Sequence, residues 1–131
     1  MVKKLKILIV DDCKVMQAVI CRTLLLAKIE PEVMDTADNG KAGLHILNDK
    51  KYDLLILDIN MPVMDGMEMI QQIQKNPEIS GIPVLFVTTE SNEGRKKILS
   101  RLGAGLVCKP FTPEVFKREI LKVTGDLAEK T

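Results

Sequence analysis

Five short apolar runs punctuate the chain, beginning near residues 5, 33, 54, 83 and 105, and each is followed by a segment of helical period. Four of them stop on a reactive polar residue. Leu5 to Val10 ends at Asp11-Asp12, Leu54 to Leu57 at Asp58, Val84 to Val87 at Thr88-Thr89, and Leu106 to Cys108 at Lys109-Pro110. Parallel strands covered on both faces read as continuous apolar runs, so the pattern predicts an α/β domain: a (βα)5 doubly wound, parallel five-stranded sheet. Val33-Met34 followed by alternating polar residues suits an edge strand, and Leu54 to Leu57 suits the sheet centre. Right-handed crossovers then favour strand order 2-1-3-4-5, and in open sheets of this kind the functional crevice lies beyond the carboxyl ends of the strands.

The helical segments carry their own punctuation. The first is expected from Lys14 to Ala27, with Val15, Val19, Arg22-Thr23 and Leu26 at helical spacing, and Ala18 and Leu25 widening that stripe. The second follows Asn39, a residue suited to capping, and uses Ala42, Gly43, Ile46 and Leu47. The third follows Pro62 and Gly66, buries Met67, Ile70 and Ile73, and ends before Asn76-Pro77, because a residue preceding proline disfavours the helical region. The fourth is expected from Ser91, with Ile98, Leu99 and Leu102 inward; Gly94 weakens it and makes it the most mobile. The fifth has Thr112 as cap, Pro113 at the first helical position, Phe116, Ile120 and Val123 inward, and Gly125 as stop.

Length and composition narrow the function. The chain has 131 residues, enough for one domain, expected over 1–125 with 126–131 as a short frayed tail and no room for an output domain. Nineteen basic side chains against 18 acidic ones leave a formal charge of +1, so no overall field draws the protein to nucleic acid or to an anionic membrane. No apolar stretch approaches the roughly 20 residues of a spanning helix, and a cytoplasmic location is expected. Aromatic residues are only 3% of the chain, so the core must be Leu, Ile, Val and Met. Three cysteines without metal-like spacing read as reduced thiols; Cys13 and Cys21 on one helix would stand about 12 Å apart.

The expected strand order brings Asp11, Asp12 and Asp58 together. Carboxylates about 4 Å apart repel by roughly 4 kcal/mol per pair at an effective dielectric of 20, so the cluster needs protons or a cation. An all-oxygen site without histidine suits Mg2+. With Lys109 as a fixed positive charge and Thr88 as a hydroxyl donor, one carboxylate is arranged to attack phosphorus, and Asp58 would become an aspartyl phosphate.

These motifs match a known pattern. Asp11-Asp12, the run Leu55 to Pro62 through Met64-Asp65-Gly66, Pro83 to Thr88, and Lys109-Pro110-Phe111 resemble the receiver domain of two-component response regulators, most closely the stand-alone, chemotaxis (CheY-like) type of flavodoxin-like fold. The resemblance spans about Leu5 to Gly125. It implies that Asp58 accepts phosphate from a sensor histidine kinase, that Asp12 binds Mg2+ directly and Asp11 through water, and that Asn60 contributes its backbone carbonyl. It further implies Thr88 as the switch hydroxyl, Lys109 as the phosphate partner, and Asn60 and Glu90 as side chains that modulate hydrolysis.

At the switch position, where the family usually has Tyr or Phe, this chain has Leu106, so the output face of helix 4, strand 5 and helix 5 is expected to respond through loop and helix-4 movement. The implied protein is a phosphorelay signalling module that acts on an unidentified downstream protein. It catalyses only its own phosphorylation and dephosphorylation and binds no nucleic acid or membrane directly. It is expected as a monomer, with phosphorylation-dependent dimerisation left open. Three other readings fit less well. An aspartate-dependent phosphatase would need an acid where Asn60 stands, a flavodoxin-type cofactor binder would need a phosphate loop where Asp11-Asp12-Cys13 stands, and a phosphorylation-independent receiver would not respond to beryllofluoride with Mg2+.

Overall fold

The computed structural model describes residues 4–89 and 93–125. Strands and helices alternate throughout: β1 (Leu5–Val10), α1 (Lys14–Leu26), β2 (Pro31–Ala37), α2 (Gly40–Asp49), β3 (Leu54–Leu57), α3 (Gly66–Lys75), β4 (Val84–Thr88), α4 (Glu93–Arg101), β5 (Gly105–Cys108) and α5 (Pro113–Thr124). The sheet is parallel in the order β2-β1-β3-β4-β5, as the crossover argument requires.

Alternation along each strand splits the core into two layers. Ile7, Ile9, Leu54, Ile56, Leu85, Val87 and Val107 meet Ile20 and Leu24 of α1 and Phe116 and Ile120 of α5 on one face. On the other, Leu8, Val10, Leu55, Leu57 and Phe86 meet Leu47, Met69, Ile70, Ile73 and Leu99 from α2, α3 and α4. Both faces are covered, which is why Ile7 to Val10 of β1, Leu54 to Leu57 of β3 and Val84 to Val87 of β4 read as unbroken apolar runs. β2, at the edge, is half-buried and mixed in sequence.

The caps follow the sequence signals. Asn39 Oδ1 accepts the Ala42 amide at the start of α2, and Thr112 Oγ1 accepts that of Val115 at the start of α5. Gly125 closes α5 in the left-handed region at φ 61°. α3 is capped by Asp65, whose carboxylate accepts the Glu68 amide.

The buried face of α1 differs from the expected one. Gln17, Ile20, Thr23, Leu24 and Ala27 face the sheet, whereas Val15, Leu25 and Leu26 are 72%, 60% and 61% exposed, with Ala18, Val19 and Arg22 beside them. Two overlapping apolar stripes run along this helix. The stripe through Val15, Val19 and Leu26 contains Arg22, whose charge is costly to bury. The one through Ile20, Leu24 and Ala27 contains Gln17, whose amide finds acceptors. Smaller differences occur elsewhere. Ile98 is 45% exposed, Leu102, Met67 and Val123 are half-buried, and Met69 is fully buried. Ser91, the expected start of the fourth helix, and the expected tail lie outside the described residues.

Candidate phosphoryl and metal site

Each candidate residue stands just beyond, or at, the last ladder bond of its strand. The Asp11 amide donates to Ala37 O at 3.0 Å, the Asp58 amide to Val10 O at 3.0 Å, and the Lys109 amide to Thr88 O at 2.8 Å. Val10 pairs with Leu57, so Asp11 and Asp58 are the next residues on adjacent strands. The close approach of α3 fixes the Asp58 backbone further. Gly66 N donates to Ile59 O at 2.8 Å, and a Cβ on Gly66 would meet Asp58 O at 2.4 Å. Only glycine fits there.

Asp11, Asp12 and Asp58 converge as the strand order required, each offering a carboxylate oxygen within 4.8 Å of the others. Asp11 is 1% and Asp58 9% exposed, while Asp12 is open to solvent. At that separation each pair of ionised carboxylates repels by roughly 3–4 kcal/mol at an effective dielectric of 20. Burial pushes the Asp11 carboxyl above its ordinary value; the Cys13 amide and Lys109 oppose that rise, and Asp12 adds to it. Burial likewise raises Asp58, with Lys109 and the Ile59 amide opposing and Asp11 and Asp12 adding.

The remaining hydrogen bonds single out particular oxygens. Asp58 Oδ1 accepts the Ile59 amide at 2.8 Å, leaving Oδ2 for chemistry. Asp11 Oδ1 accepts the Cys13 amide at 2.9 Å, and Asp11 Oδ2 is buried with no hydrogen-bond partner among the described residues. Lys109 Nζ lies 3.9 Å from that oxygen, an ion pair too long for a good hydrogen bond. An orphaned buried carboxylate oxygen among three acids, with no nitrogen or sulfur donor in the set, fits a hard divalent cation held through oxygen.

The other candidates fall around this cluster. Thr88 is fully buried at the end of β4, in register with Cys108, and Lys109 follows one residue later in a cis peptide with Pro110. Asn60 is exposed two residues beyond Asp58. Leu106 is half-buried against the α2, α3 and α4 layer, opposite Phe86. Glu90 lies outside the described residues. His45 is exposed on α2, away from the cluster.

Sequence reasoning missed Gln17, whose side chain reaches the ends of β1 and β2. The available signal was one amide in the Ile20, Leu24, Ala27 stripe, at a position the alternative stripe treated as outward.

Known proteins resemble this chain over most of its length. Residues 7–121 match the family model described as the response regulator receiver domain. The chemotaxis protein CheY of Pseudomonas aeruginosa is 35% identical over 122 residues, spanning 91% of this chain and 95% of that protein. The structure of Vibrio cholerae CheY4 superposes with a TM-score of 0.79 at 31% identity, covering 92% of this chain and 99% of the other. The receiver domain of a Pseudomonas aeruginosa sensor histidine kinase, solved with a magnesium ion coordinated in its active site cleft, shares the fold. Its TM-score is 0.79 at 22% identity, over 94% of this chain and 99% of that one.

Proposed function

Because the chain belongs to the response regulator receiver domain family of two-component signalling, we propose that Asp58 accepts a phosphoryl group from a sensor histidine kinase. The signal then passes through the α4–β5–α5 face to a partner protein. The observation that carries this reading is the buried Asp11 Oδ2, without a hydrogen bond among the described residues, beside Asp58 and Lys109.

The chain's own groups account for the transfer. Asp58 Oδ2 attacks phosphorus, the bond from phosphorus to the donor imidazole nitrogen breaks with its electron pair leaving on the imidazole, and an acyl phosphate forms. Oδ1, held by the Ile59 amide, keeps the carboxylate from rotating away. Lys109 supplies positive charge to the phosphoryl oxygens, and the Thr88 hydroxyl donates to one of them. Asp11, Asp12, Asp58 and the Asn60 carbonyl would hold Mg2+, which neutralises charge on the transferring group when bound. Asn60 and Glu90 orient water for hydrolysis, so the protein turns over only its own phosphoryl group.

Added charge at Asp58 draws Thr88 and Lys109 inward and shifts the loops after β4 and β5. Between α4 and α5 lies an open cleft of about 390 Å3, lined by Lys96, Ser100, Leu106, Glu119 and Lys122. With Leu106 in place of an aromatic ring, the response of this face runs through the loops and α4.

The direct test is intact mass after incubation with acetyl phosphate and Mg2+. One phosphoryl increment is expected on the wild type and none on Asp58→Asn. Equal adducts on both would defeat the assignment of Asp58.

A further inference from the structure

We infer that Gln17 is a positioning residue for the divalent-cation site, holding the Asp11 backbone through its side-chain amide from α1; the inference rests on the metal site proposed above. Asp11 has four polar atoms. Its amide is held by Ala37 O at 3.0 Å, and its Oδ1 by the Cys13 amide at 2.9 Å. Its carbonyl oxygen accepts Gln17 Nε2 at 2.7 Å. Only Oδ2 is left, buried and without a hydrogen bond among the described residues, with Lys109 Nζ 3.9 Å away. Three of the four polar atoms are clamped, and the fourth is the one a cation would take.

Gln17 supplies the one clamp that comes from a side chain. It is 5% exposed, on a buried helix face shared with Ile20, Thr23, Leu24 and Ala27. A buried amide is tolerated there because its donors are satisfied: besides Asp11 O, Nε2 lies 3.0 Å from Asp38 Oδ1 and 3.4 Å from Ala37 O. Asp38 is itself fixed by Lys14 at 2.8 Å, and these two partners hold its carboxyl below the ordinary carboxylate range. The amide thus ties the end of β1, the end of β2 and the β2–α2 loop to the first turns of α1. The backbone that leaves Asp11 carries Asp12 next, so a loosened Asp11 carbonyl loosens both acids. Groups that hold a ligand in place without touching the metal typically cost about 10–100-fold in affinity when removed.

The test separates positioning from folding. Mg2+ titrations followed by amide chemical shifts give a dissociation constant, and thermal melts in EDTA give stability without metal. Gln17→Met keeps the length and removes the donors; its Mg2+ dissociation constant is expected to rise at least about tenfold. Leu24→Ala, a core truncation on the same helix, serves as the structural control, expected to melt earlier with an unchanged dissociation constant.

Should Gln17→Met fail to fold, Asp38→Ala decides. It sits on the exposed side, removes one anchor of the amide, and is expected to weaken Mg2+ at least about twofold. Wild-type affinity in whichever variant folds, or equal weakening in Leu24→Ala, overturns the positioning role. Absence of Mg2+ binding to the wild type would instead overturn the metal site itself, and the inference with it.

Discussion

Asp11 and Asp58 are acids placed where their charge is least welcome, and the sign of that cost is testable. Burial raises both carboxyls above their ordinary value of 3.8, with Lys109 opposing and the neighbouring acids reinforcing the rise. In a window that opens near the ordinary value and extends up to the raised one, the folded chain holds protons the unfolded chain has released. Stability of the metal-free protein therefore falls as pH climbs through that window and levels off above it. Asp58→Asn deletes one contribution and one like charge. Urea unfolding in EDTA should find this variant more stable than wild type at pH 7, by roughly 1 kcal/mol or more, with the two converging near pH 3. A variant no more stable than wild type at neutral pH would show that Lys109 already cancels the repulsion.

At the scale of elements, what was legible depended on whether one side chain pattern had a single solution. α5 had one: a cap at Thr112, Pro113 at its start, Phe116 and Ile120 inward and Gly125 at its end all agree. α1 had two apolar stripes, and its buried face was decided by the fates of Arg22 and Gln17, which depend on acceptors contributed by β1 and β2. No local periodicity contains those acceptors. The assignment has a direct consequence for stability. Leu24→Ala empties a fully buried site and should cost about 2–5 kcal/mol, whereas Leu26→Ser, at an exposed site, should stay within about 0.5 kcal/mol. Chemical denaturation of the two variants checks this, and the reverse order would mean that the other stripe faces the sheet.

Across the whole molecule, the edge that carries the candidate site was readable because two independent regularities converge on it. Continuous apolar runs mark strands, and parallel topology gathers their carboxyl ends on one side. What lay between those ends, such as the Gln17 amide and the fit of Gly66 against Asp58 O, depends on tertiary approach and leaves weak traces in sequence. The same edge links chemistry to global stability. A cation that binds the folded chain and not the unfolded one stabilises by RT ln(1 + [L]/Kd), about 2.7 kcal/mol at a hundredfold excess over Kd. Wild type carries the repulsion that such an ion relieves; Asp58→Asn lacks both that repulsion and one of the proposed ligands. The variant should therefore melt above wild type in EDTA but begin to gain stability only at higher Mg2+, so the two curves of Tm against log Mg2+ concentration converge as the ion is added. Curves that begin to rise at the same Mg2+ concentration and keep a constant gap would show that Asp58 contributes nothing to holding the ion.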